Sequence, residues 1–85
     1  PDDAHTGRML AIESLIAWGR PEEALRVAEA WNTAAPTDTL SWVALARAHE
    51  SRGDEGAAAR SWGSLLDLHP TRVDVRRLVA GRLDG

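Results

Sequence analysis

The chain has 85 residues, of which 44% are hydrophobic and 27% charged, with a net charge of −3. That describes one small soluble domain, with no sequence-wide draw toward phosphate backbones or anionic membranes. The absence of cysteine excludes disulfides and thiolate metal sites, and no apolar run approaches the roughly 20 residues of a membrane span. Alanine is abundant, while Phe, Tyr and Lys are missing and all ten basic residues are arginine. Alanine is the best helix former, and no segment alternates apolar and polar residues as a half-buried strand would. The expected fold is therefore all-α. The opening Pro1-Asp2-Asp3, with neither an initiator methionine nor a signal-peptide pattern, suggests a piece of a longer protein.

In chain order, helical character is expected from His5 or Thr6. Met9, Ile12, Leu15 and Ile16 share one face, Gly7 weakens the first turn, and Trp18-Gly19 closes the helix. Pro21, with Glu22 and Glu23 behind it, suits the start of a second helix. Its stripe is Leu25, Ala28 and Trp31, and Ala35-Pro36 ends it. Thr37 or Asp38 caps a third helix carrying Leu40, Trp42, Val43, Leu45, Ala46 and His49, and Gly53 stops it. Asp54 caps a fourth, with Ala58, Trp62, Leu65, Leu66 and Leu68, which Pro70 ends. Thr71-x-x-Asp74 has the form of a capping box. A last helix places Val75, Leu78, Val79 and Leu83 on one side and Arg76, Arg77 and Arg82 on the rest.

The punctuation repeats. Gly19 and Gly53, Ala24 and Ala58, and Pro36 and Pro70 are each 34 residues apart. Two helices per 34-residue unit resemble the tetratricopeptide repeat. In the second unit the family's positions fall on Trp42, Leu45-Ala46, His49, Ala58, Trp62, Leu65 and Pro70, with Gly53-Asp54 as the usual turn. His49 stands where tyrosine is common and Leu65 where alanine is. In the first unit they fall on Arg8, Ala11-Ile12, Leu15, Ala24, Ala28, Trp31 and Pro36; Arg8 and Ile12 depart from the pattern. The resemblance implies antiparallel helical hairpins stacked as a short right-handed superhelix of about five helices, in one domain spanning 1–85. Its repeats run over 5–38 and 39–72, with a capping helix over 73–83. Trp42 and Trp62 are then core by register, Trp31 packs between units, and Trp18 fills core or rim.

Nothing in the sequence points to catalysis. His5, His49 and His69 lack metal-ligand spacing. The serines lack a nucleophile-elbow motif, and no glycine-rich phosphate loop or cofactor motif occurs. The arginines of the last helix read as the solvated face of a cap, not as a nucleic-acid helix. The expectation is a non-enzymatic module without cofactor or metal, binding neither nucleic acid nor membrane.

Family resemblance implies that the first helix of each unit lines a concave face where a peptide or partner helix docks. That assigns the inner face to Thr6, Met9, Glu13 and Ile16, then Leu40, Val43, Arg47 and Glu50, then Asp74 and Arg77. Met9, Glu13, Leu40, Val43, Arg47, Glu50 and Arg77 are the partner-binding candidates. Members that clamp a C-terminal carboxylate use lysine, asparagine and arginine at places held here by Met9, Glu13, Ala44, Asp74 and Leu78, so that role is rejected. The alternatives are a structural or regulatory module packed on other domains of a larger, even enzymatic, parent, or self-association through exposed ends.

Overall fold

The computed structural model describes residues 3–84, with side chains over residues 7–82. Five helices follow one another: α1 (Asp3–Ala17), α2 (Pro21–Ala34), α3 (Thr39–Ser51), α4 (Glu55–Leu68) and α5 (Val73–Asp84). No strand occurs among the described residues. The fold is all-α and built of antiparallel hairpins, each helix packing on the next in sequence, with α1 also lying against α3. The molecule measures 33 × 33 × 18 Å, a slab about two helices thick.

Local chemistry sets the hairpins. Gly19 and Gly53 both adopt φ +75°, a left-handed conformation that glycine enters without steric cost. At the first turn Gly19 N–H donates to Ile16 O at 3.1 Å and Arg20 N–H to Leu15 O at 2.8 Å. At the second, Gly53 N–H donates to Glu50 O and Asp54 N–H to His49 O, both at 3.0 Å. These are two Schellman caps, and every atom pair of one recurs 34 residues later in the other. The inter-unit loops repeat in the same way: Ala35 N–H donates to Trp31 O, and His69 N–H to Leu65 O. Asp38 accepts from Leu40 N–H at 3.1 Å and Asp54 from Ala57 N–H at 3.1 Å, capping α3 and α4.

Two clusters form the core. The first joins Ile12, Ala24, Ala28, Trp31, Ala44 and Ala48; the second joins Ala46, Ala58, Trp62, Leu65, Val75 and Val79. Burial follows the repeat, with Ala24 and Ala58, Ala28 and Trp62, and Trp31 and Leu65 all inside. α3 belongs to both clusters, and its buried residues are Ser41, Ala44, Ala46 and Ala48. Small side chains let neighbouring helices close on it from two sides, so the bulky groups come from α1, α2 and α4 instead.

The structure corrects four expectations. α1 begins at Asp3, ahead of His5 and Thr6. Trp18 falls in the turn after α1 and is 83% exposed, because it continues the α1 stripe of Ala11 and Ser14, which faces away from the core. The Thr71/Asp74 capping box is replaced: α5 begins at Val73, and the Asp74 carboxylate takes the Arg72 guanidinium at 2.6 and 3.2 Å. Trp42 is half-buried rather than inside, with its indole N–H donating to Pro36 O at 2.7 Å. The side chains of His5, Thr6 and Leu83 lie outside the described residues.

Candidate partner-binding face

α1 and α3 place the candidate residues of the first two units on neighbouring helices. Glu13 and Arg47, which are 34 residues apart, meet in an ion pair at 2.8 Å. About a third of each side chain is exposed, so the pair is partly desolvated and each charge is matched before any partner arrives. Met9 and Ile16 are half-buried against the first cluster, and Val43 is half-buried against the second. Leu40 is the barest of the apolar candidates, at 37% exposed.

Glu50 is drawn into a different arrangement. Its carboxylate accepts from the Trp62 indole N–H at 2.9 Å and stands 3.8 Å from the Arg82 guanidinium, which lies over the Trp62 ring at 5.6 Å. Buried indole N–H groups need an acceptor, and Glu50 supplies it from α3 to α4. The α5 backbone rests on α4 alone and reaches α3 only through side chains. The resulting gap is a cleft of about 520 Å3 lined by Glu50, Gly53, Ala58, Trp62 and Arg82 among others.

Arg77 lies on the outer side of α5, where Val73, Arg76, Arg77 and Ala80 line a shallow depression of about 310 Å3. The seven candidates therefore divide into three groups: Met9, Glu13, Leu40, Val43 and Arg47 along α1 and α3, Glu50 in the Trp62–Arg82 cluster, and Arg77 on α5. Asp74, exposed beside it, is held below the ordinary carboxylate range by the Arg72 hydrogen bond and charge.

The Glu50–Trp62–Arg82 cluster escapes a periodicity reading, which sends Arg82 to solvent. One signal was available: in the 34-residue register Arg82 is equivalent to Ala48, which faces the preceding helix and is buried. Chemically, the face offers apolar surface flanked by matched charges. Among the described residues no group of His, Asp or Glu could hold a metal ion. No helix among them is long and apolar enough to cross a membrane. Comparison with protein families, characterised proteins and solved structures finds no match to this chain.

Proposed function

We propose that the chain is a tetratricopeptide-type interaction module whose α1/α3 face binds a peptide or helix of a protein partner, without catalysis. One observation carries the reading: the 34-residue period governs backbone hydrogen bonds as well as residue identities, from the paired Schellman caps to the paired inter-unit loops. Two equivalent hairpins bring equivalent helices side by side, and their shared face carries Leu40 exposed, Met9 and Val43 half-buried, and the Glu13–Arg47 pair. Such a surface suits an apolar anchor, with Glu13 and Arg47 orienting polar groups around it.

Leu40 is the residue to test. A charge at Val43 would disturb the second cluster, whereas Leu40→Asp alters an exposed side chain. Peptides selected against the wild-type chain from a displayed library are expected to lose binding to Leu40→Asp, with the helical circular dichroism of the variant unchanged. Selected peptides that bind Leu40→Asp equally well, or a library that yields none, would overturn the assignment.

A further inference from the structure

The cleft beside Trp62 has a closed counterpart in the first unit. In the 34-residue register its lining residues Glu50, Ala58, Ala59, Trp62 and Arg82 are equivalent to Ile16, Ala24, Leu25, Ala28 and Ala48. Those counterparts all pack into the first cluster, which draws on no residue of α4 or α5 among those described. Closure there needs only α1, α2 and α3, whose equivalents α3, α4 and α5 all surround the cleft. The cleft is therefore open because of the side chains it carries. A carboxylate, an indole and a guanidinium replace apolar contacts, and Leu25 becomes the smaller Ala59. The α5 backbone also stands off from α3, whereas α1 lies against it. Arg47 joins α3 to Glu13 of α1, but its equivalent on α5 is Gly81, where a Cβ would meet nothing within 4 Å.

We propose that this cleft binds an arginine side chain of a protein partner, and that Arg82 is its tethered occupant in the free chain. The chain's own guanidinium shows the chemistry that fits. It lies over the Trp62 ring at 5.6 Å and beside the Glu50 carboxylate, so a planar cation meets an aromatic face and an anion together. Its hold is loose: the approach to Glu50 is 3.8 Å, beyond hydrogen-bond reach, and 37% of the Arg82 side chain is exposed. Glu50 itself is fixed, because its Oε2 accepts from the Trp62 indole N–H at 2.9 Å. Its Oε1 has only the distant Arg82 among the described residues. A guanidinium free of the α5 tether can close on Oε1 to the roughly 2.8 Å of a charge-assisted bond. Charge favours its entry, since Glu50 and Glu55 set two carboxylates on the lining against one cation, and no described cation pairs with Glu55. About 520 Å3 suits a side chain rather than a helix. The site lies about 15 Å along α3 from Leu40, so it is independent of the α1/α3 face.

The peptide Gly-Gly-Arg-Gly-Gly with both ends blocked, titrated into the isotope-labelled whole chain, is expected to shift the Trp62 indole N–H resonance to saturation. The expected dissociation constant is about 1 mM, the strength open to a single side chain. Arg82→Ala removes the tethered competitor and is expected to tighten binding about tenfold, with helical circular dichroism unchanged. Glu50→Gln keeps an oxygen for the indole but loses the charge, and is expected to weaken binding about tenfold or more. The same peptide with citrulline, equal in shape but uncharged, should leave the resonance in place. An unmoved resonance in the Arg82→Ala chain, weaker binding by that variant, citrulline binding as tightly as arginine, or binding unchanged in Glu50→Gln would each overturn the proposal. Free arginine binding more tightly than the peptide would overturn a protein partner as its source.

Discussion

Trp62 and Trp42 are one residue type at two depths. Trp62 is 1% exposed and central to the second cluster, so Trp62→Ala is expected to cost about 3–5 kcal/mol, a large part of the stability of so small a domain. Trp42 is half-buried on the edge of that cluster; its loss should cost about 1–2 kcal/mol, covering part of its apolar area and the bond to Pro36 O. Urea unfolding of the two variants checks the order, and equal midpoints would refute it. Register alone ranks these residues alike, because it reports which helix face a residue occupies and not how far the neighbouring helix extends over it. Ser41 shows the same gap. Sequence reading tests its hydroxyl only as a nucleophile, yet it is fully buried, donates to Asp38 O at 2.7 Å and accepts from Asn32 at 3.1 Å, fastening the loop between hairpins. Asp74 offers a titration test. The Arg72 hydrogen bond, with its charge, lowers the Asp74 carboxyl below its ordinary value, so the ionised form is the one the folded state favours. The contribution is present at neutral pH and lost as pH falls through the lowered folded value. Carboxyl NMR titration should find Asp74 back in the ordinary range in Arg72→Ala; an unchanged midpoint would show that the pair does not persist in solution.

The turns test the repeat as a structural period. Gly53 sits at φ +75° with open space around its missing Cβ, so Gly53→Ala meets no neighbour and costs only backbone strain, about 1 kcal/mol. Gly19→Ala should cost a similar amount, because the same two cap bonds close on the same φ. Thermal melts of both variants check this; a difference of several kcal/mol would mean that the turns are not equivalent. Element order, the glycine turns, Pro21 at the start of α2 and the Asp54 cap were all legible in the sequence, and the α3 cap was narrowed to Thr37 or Asp38, because each is a contact within a few residues. The start of α5 was not. Thr71 and Asp74 have capping-box spacing, but a guanidinium two residues before Asp74 is a stronger partner for its carboxylate than a backbone N–H. Nor was the division of the candidate face. Helical register places Glu50 beside Arg47, but whether its carboxylate points along α3 or toward an indole on α4 depends on a packing distance that no residue pattern encodes.

Across the whole molecule, cover is unequal. α3 touches α1, α2 and α4, while the α5 backbone rests on α4 alone. Both clusters draw on α3, whereas α5 adds Val75 and Val79 to one of them. In a stacked array each unit is held chiefly by its neighbours, so local opening should follow the number of covered faces. The α5 amides should exchange through a low-energy opening that leaves α1–α4 folded, and the α3 amides only through global unfolding. Loss of α5 would uncover Trp62 and Leu65, so that opening also exposes the second cluster and frees Glu50 from Arg82. Native-state hydrogen exchange measures the two classes directly. Val79→Ala is expected to raise exchange in α5 more than in α1, and Ile12→Ala to do the reverse, because each substitution empties a different cluster. Equal protection in α3 and α5, with both variants shifting every helix alike, would show instead that the two clusters melt as one cooperative core and that the hairpins are not separable units of stability.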